Sequence, residues 1–282
     1  MIESTPEFDI SILLPTRGRA DMLERSLESL TRLSGNLKKI QFLFGFDNDD
    51  QVGLKHFEEK IQPWFDSAEI EYTALSFEPY GYGRLHEYVN ELARNSDGRW
   101  MVFWNDDAVM QTQDWDLEIM KWDGQFRLLA FHTHNDHPYS IFPIVPQDWL
   151  KALGHLSHHQ LNDAWLSQQA YLLDIYERIP VWVDHDRYDL TGNNQDDTFK
   201  KRVIFEGNPS DPRDFHSTQN IELRHTECAK LAQYLEKERG MSMKFFADVF
   251  RGTQDPWVKL KENDVNNQMK QFQNPHGMQK VA

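Results

Sequence analysis

Three short polar runs in this 282-residue chain combine residue types that hold charged ligands. Asn105-Asp106-Asp107 directly follows the apolar run Trp100 to Trp104. In an extended segment residues two apart face the same side, so Asn105 and Asp107 can converge on one ligand. Oxygen donors of this kind suit a hard divalent cation, Mg2+ or Mn2+, which usually also takes phosphate oxygens. The competing reading is a solvated turn held by Asx hydrogen bonds. The other two runs, Thr16-Arg17-Gly18-Arg19 and Asp47-Asn48-Asp49-Asp50, also close apolar stretches.

The elements that must position these runs alternate through the first half of the chain. Ile10 to Leu14, Ile40 to Phe46, Ile70 to Phe77 and Trp100 to Trp104 read as strands. Between them Leu23, Leu27 and Leu30, then Val52 to Trp64, then Leu85, Tyr88, Val89 and Leu92 recur at helical spacing. This rhythm predicts an α/β fold with a mostly parallel sheet flanked by helices and right-handed crossovers. Ligands of such sheets bind beyond the carboxyl ends of the strands, where all three polar runs fall. In the second half, Leu128 to Phe131, Tyr139 to Val145 and Ile179 to Val183 read as strands. Asp148 to Leu153 and Asp163 to Leu173 read as helices. Residues 8–200 are expected to form one domain, and 201–282 a helical C-terminal extension with a flexible Gln/Asn/Lys-rich tail.

Composition narrows the class. Lys plus Arg number 30 and Asp plus Glu 45, a formal charge of −15. That acidity argues against charge-driven binding to duplex DNA or anionic lipid, though a local basic cleft is compatible with it. The mean hydropathy of −0.70 is low for a folded chain. Nine Trp, nine Tyr and eighteen Phe nevertheless mark a folded protein, because disordered chains are poor in aromatics. The single cysteine, Cys228, excludes an intrachain disulfide framework and reads as a small buried hydrophobe. Met1 to Asp9 lacks the basic-then-apolar pattern of a signal peptide, and no apolar run nears the ~20 residues of a membrane helix. The expectation is a soluble, cytoplasmic protein.

Four elements in order resemble a GT-A-fold glycosyltransferase, closest to family 2. They are Ile12 to Arg19, Phe46 to Asp50, Gly83 to Asn90, and Asn105 to Asp107. The resemblance implies a Rossmann-type GT-A sheet and the transfer of a sugar from a nucleotide-sugar donor, expected to be uridine-linked, to an acceptor hydroxyl. It assigns nucleotide contacts to Pro15, Thr16, Arg17 and Arg19, and base or ribose contacts to Asp47, Asn48 and Asp49. Gly83, Arg84, Asn90 and Asp106 complete the donor set, and Asn105, Asp107 and His185 would hold Mg2+ or Mn2+. In inverting members an acidic residue opening a helix takes the acceptor proton. Asp163 is that candidate, against the alternative that Asn162 or Asp163 merely caps the helix. The family's Glu-Asp pair is Asn-Asp here, and the absence of Q-x-x-R-W argues against a processive synthase. A glycan is the favoured acceptor, with a modified DNA base as an alternative. A non-catalytic nucleotide-sugar binder also fits these residues.

A rival motif is His132-Thr133-His134-Asn135-Asp136-His137. It matches H-x-H-x-D-H, in which His132, His134, Asp136 and His137 would bind zinc in a metallo-β-lactamase-type hydrolase. Its context disagrees, since Pro138-Tyr139-Ser140 follows where a Gly-rich turn is the rule. His155, His158 and His159 form another cluster whose spacing can coordinate metal or can be plain loop histidines. The tryptophans Trp104, Trp115, Trp122, Trp149 and Trp165 read mostly as core.

Overall fold

The computed structural model describes residues 6–133, 137–186, 208 and 210–244. The first half runs β1 (Phe8–Thr16), α1 (Ala20–Leu33), β2 (Ile40–Asp47), α2 (Gln51–His56), α3 (Gln62–Ala68), β3 (Glu71–Phe77), α4 (Leu85–Arg94) and β4 (Gly98–Phe103). The second half adds β5 (Ala108–Met110), α5 (Trp115–Met120), β6 (Leu128–His132), β7 (Ile144–Pro146), α6 (Gln147–Leu153), α7 (Asn162–Leu172), β8 (Tyr176–His185) and α8 (Thr218–Arg239). Eight strands form one sheet in the order β3-β2-β1-β4-β7-β6-β8-β5.

Strands β1 to β4 pair parallel, as the alternating pattern predicts. Beyond β4 the sheet is mixed. The β7 strand runs antiparallel to both β4 and β6, β8 is parallel to β6, and β5 is antiparallel to β8. The two faces of the sheet follow from the two-residue period of a strand. Ile10, Ile12, Leu14, Phe42, Phe44, Trp100 and Val102 pack against α1 and the α2–α3 region on one face. Leu13, Leu43, Met101 and Phe103 point the other way, into a core shared with α4, α6, α7 and α8. Trp104, Trp115, Trp149 and Trp165 are all fully buried in these layers.

Three elements differ from the sequence expectation. The helix expected over 52–64 extends to Ala68 and widens into a π-helical turn at Phe57–Ile61. Pro63 follows that turn, and a proline lacks the N–H that a regular α-helix would donate back to residue 59. The strand expected from Tyr139 shrinks to Ile144–Pro146, because Tyr139 N and Ser140 N donate to His137 Nδ1 and Ser167 Oγ and Pro143 has no N–H to give a ladder. The last strand is longer than expected, ten residues from Tyr176 to His185, since it borders both β6 and β5.

The α8 helix packs on α6 and α7, with Cys228, Leu231 and Leu235 in the second core. The boundary expected near residue 200 and the tail from 245 lie outside the described residues. Among the described residues no helix is long and apolar enough to cross a membrane.

Candidate active site

A cavity of about 430 Å3 opens at the carboxyl ends of β1, β2 and β4. Its floor is polar. Thr16, the last residue of β1, donates its hydroxyl to Asp106 Oδ2 at 2.7 Å. Arg19 Nη1 bridges Asp106 Oδ1 at 2.8 Å and Asp107 Oδ2 at 3.1 Å. Both aspartates are buried. Burial pushes the Asp106 carboxyl up to about 6, against the opposing pull of Arg19. Burial also works to raise Asp107, yet His185 and Arg19 outweigh it and hold Asp107 below the usual carboxylate range.

The Asn105–Asp107 segment is not extended. Ala108 N donates to Asn105 O at 3.1 Å, which closes a turn, so the two-apart rule for strands does not apply. What brings ligand atoms together instead is the sheet. Ala108 stands opposite His185 in the β5–β8 pair, and Asp186 N donates to Asp107 O at 2.9 Å. His185 Nε2 thereby lies 3.2 Å from Asp107 Oδ1. That oxygen is buried and accepts no well-aligned hydrogen bond. A buried carboxylate oxygen left open beside an imidazole nitrogen, with Asn105 in the same wall, fits a divalent cation.

The second polar wall belongs to β2. Arg17 Nη1 donates to Asp47 Oδ2 at 2.6 Å, and its fork also engages both oxygens of the exposed Asp49. Asp49 and Asp47 together raise the Arg17 pKa above its ordinary value. The Tyr88 hydroxyl donates to Asp47 Oδ1 and accepts from Tyr80 N at 2.7 Å and Gly81 N at 3.3 Å. Burial and Asp47 push this phenol up to about 12. Asp50 has a separate duty: its carboxylate accepts from Gly18 N and caps α2 through Gly53 N.

Of the residues singled out from sequence, Pro15, Thr16, Arg17, Arg19 and Asp47 line this cavity from the β1 and β2 side. Asn105, Asp106, Asp107, Asp163 and His185 line it from the other. Five others do not line it. Asn48 points its amide at Glu78, and Asp49 sits outside on Arg17. Arg84 pairs with Glu87 and lies over the Tyr80 ring. Gly83 faces Gln160, a Cβ there standing 3.5 Å from its Oε1. Asn90 is a buried clamp on the loop after α6, with Oδ1 accepting from Leu156 N and Ser157 N and Nδ2 donating to Ser157 O. Neither Asn162 nor Asp163 caps α7, because Leu161 occupies that position.

Sequence reasoning missed Tyr88, read only as part of an apolar helix stripe; its hydroxyl amid Leu85, Val89 and Leu92 was the available signal. It also missed Asn162 as a wall residue. Its Oδ1 is buried without a hydrogen bond in the cavity lining. Of the H-x-H-x-D-H run, His132, Thr133 and His137 are described. His132 ends β6 with its ring stacked on Trp182, and His137 Nδ1 accepts from Tyr139 N. Neither lines the cavity, and His134 and Asp136 lie outside the described residues.

No family model matches this sequence, and no curated protein matches it either. Solved structures do share its fold. The 1–349 portion of TarS from S. aureus, in complex with UDP-GlcNAc, superposes with a TM-score of 0.56 at 13% identity. That match covers 83% of this chain and 74% of that one. The mannosyltransferase PcManGT from Pyrobaculum calidifontis, in complex with GDP-Man and Mn2+, gives 0.53 at 13% identity, covering 94% and 82%. The fold is therefore that of GT-A glycosyltransferases, with helices on both faces of the sheet.

Proposed function

We propose that the chain is a non-processive glycosyltransferase that moves a sugar from a nucleoside-diphosphate donor, uridine-linked, to an acceptor hydroxyl. The observation that carries this is one cavity that joins the open Asp107 oxygen beside His185 to the carboxylate of Asp163. Similar folds in complex with UDP-GlcNAc, or with GDP-Man and Mn2+, support the reading.

In this reading Thr16, Arg17 and Asp47 bind the nucleotide, with Tyr88 fixing Asp47. Asp107, His185 and Asn105 would hold Mn2+ or Mg2+, and Asp106 keeps Arg19 in place. When bound, the cation supplies charge neutralisation for the diphosphate leaving group. Arg19 sits at the same floor and adds a fixed positive charge there. Asp163, at the opening turn of α7, accepts the acceptor's hydroxyl proton as that oxygen attacks the anomeric carbon. The carbon–oxygen bond to the diphosphate breaks with its electron pair on the diphosphate, and attack from the opposite face inverts the centre. The Asn162 oxygen would receive an acceptor hydroxyl beside it. A glycan hydroxyl is the proposed acceptor and the cytoplasm, where a single reduced cysteine is stable, the proposed setting.

Titration calorimetry of UDP with and without Mn2+ tests this. Binding that requires Mn2+ and vanishes in Asp107→Ala is the expected outcome. Binding that ignores the metal, or none across a panel of nucleotides, would overturn the proposal.

A further inference from the structure

A second cluster lies away from the cavity floor, where the loop after α6 meets α8. His155 Nε2 stands 2.7 Å from Glu227 Oε1, and His158 Nε2 stands 3.0 Å from the same oxygen. The two imidazole rings pack side by side with centroids 3.9 Å apart. One ligand atom from each residue falls within 4.8 Å of the others. We infer that His155, His158 and Glu227 form a binding site for a borderline transition-metal dication of the zinc type.

Three features carry the inference. Two imidazole nitrogens and one carboxylate oxygen are a donor set that zinc takes, with a water completing four-coordination. The pattern of partners already fixes which oxygen is available. Glu227 Oε2 accepts from Trp165 Nε1 at 3.0 Å and from Gln169 Nε2 at 2.6 Å, which leaves Oε1 for the histidines. Such outer partners orient metal-binding carboxylates and histidines. Burial is graded in the useful direction: Glu227 is buried, His155 partly so, and His158 is exposed, which gives an entry path and a place for water. Bonds of about 2.0–2.1 Å set tetrahedral neighbours about 3.3 Å apart, so the histidine–glutamate distances of 2.7 and 3.0 Å need widen by about 0.6 and about 0.3 Å.

The site joins two parts of the chain far apart in sequence. His155 and His158 lie on the loop that Asn90 clamps at Leu156 and Ser157, and that loop continues into Gln160, Leu161 and Asp163 in the cavity wall. Glu227 lies on α8. A bound ion would tie α8 to that wall, so its role is structural. The inference stands independently of the sugar-transfer reading.

The test uses the full chain with Asp107→Ala, which silences the cavity floor, stripped of metal and titrated with Co2+ as the spectroscopic stand-in for zinc. The expected result is a single equivalent bound with a tetrahedral d–d spectrum, and an unfolding midpoint raised by about 4 °C or more in excess metal. Adding His158→Ala, an exposed position that does not threaten folding, should weaken Co2+ binding at least tenfold and remove the midpoint shift. An absent or octahedral spectrum, or an unchanged titration with His158→Ala, would overturn the inference.

Discussion

Asp107 at the sheet end and Glu227 on α8 are both buried carboxylates in ion-pair contact with histidines, and their surroundings differ in kind. Asp107 shares its site with a second aspartate, an arginine and an open cavity, and one of its oxygens lacks an aligned donor. Glu227 has four donors around its two oxygens: both histidines, an indole and an amide. The consequence is visible in the charge states. Burial pushes Asp106, beside Asp107, up to about 6 against the pull of Arg19. Burial also opposes ionisation of Glu227, but His155 and His158 overcome it and pull that carboxyl down to about 2. A buried carboxylate oxygen left open in a cavity suits a ligand on the substrate side, whereas a carboxylate anchored by an indole and an amide in the α7–α8 core holds the fold, with or without an ion on its other oxygen.

That contrast can be broken by exchanging the roles of the two carboxylates. Asp107→Ala should lower sugar turnover by about 10²–10³-fold or more while the chain stays folded, read as kcat from released nucleotide with circular dichroism as the control. Glu227→Ala should instead act on stability. It leaves Trp165 and Gln169 without their acceptor in the α7–α8 core, at a cost of about 3–5 kcal/mol in urea unfolding. If Asp107→Ala unfolds the chain and Glu227→Ala only slows turnover, the contrast is the wrong way round.

Asp163→Asn sharpens the cavity side. It should reduce kcat by about 10²-fold through loss of the base, while donor affinity by calorimetry stays within a few-fold. A parallel loss of donor affinity would move Asp163 from the acceptor's proton to the donor's binding.

The smallest effect is expected at Tyr88, which supports the cavity without touching its floor. Tyr88→Phe removes the donor to Asp47 and the acceptor for Tyr80 N and Gly81 N, costing about 1–3 kcal/mol. Because the folded pKa lies above the ordinary phenol value, this contribution is full below about pH 10 and is lost as pH rises through about 12. Wild type should therefore lose stability faster than Tyr88→Phe between those values, and equal slopes in alkaline denaturation would remove Tyr88 from the account.

The parallel half of the sheet was legible because strand and helix periods alternate cleanly from Ile10 to Trp104. Asp47, Asp106 and Asp107 were legible for the same reason, since a strand end fixes where the next polar residues must sit. Asp49, Asn48 and Asp50 show the limit of that logic. They share one run with Asp47, yet one faces a glutamate, one sits outside the cavity on Arg17, and one caps a helix. Composition cannot separate them, because the turn after β2 rotates each side chain differently. Tyr88 was hidden in an apolar stripe, where a hydroxyl weighs less than the spacing around it.

The sequence alone determined the α/β rhythm, the strand ends that carry acid, and the absence of a disulfide framework, because each rests on residues close together in the chain. The family resemblance grouped Asp107 with His185, and the tertiary structure supplies the route between them, the antiparallel β5–β8 pair, whose three-residue β5 is too short to carry a periodic signal. Only the tertiary structure decided the second pairing of acid and base. Glu227 reaches His155 and His158 because α8 packs on α7, and the spacing between them spans residues whose composition says nothing of that contact. Both centres are long-range contacts, set by packing energy summed over the whole core and not by any local preference.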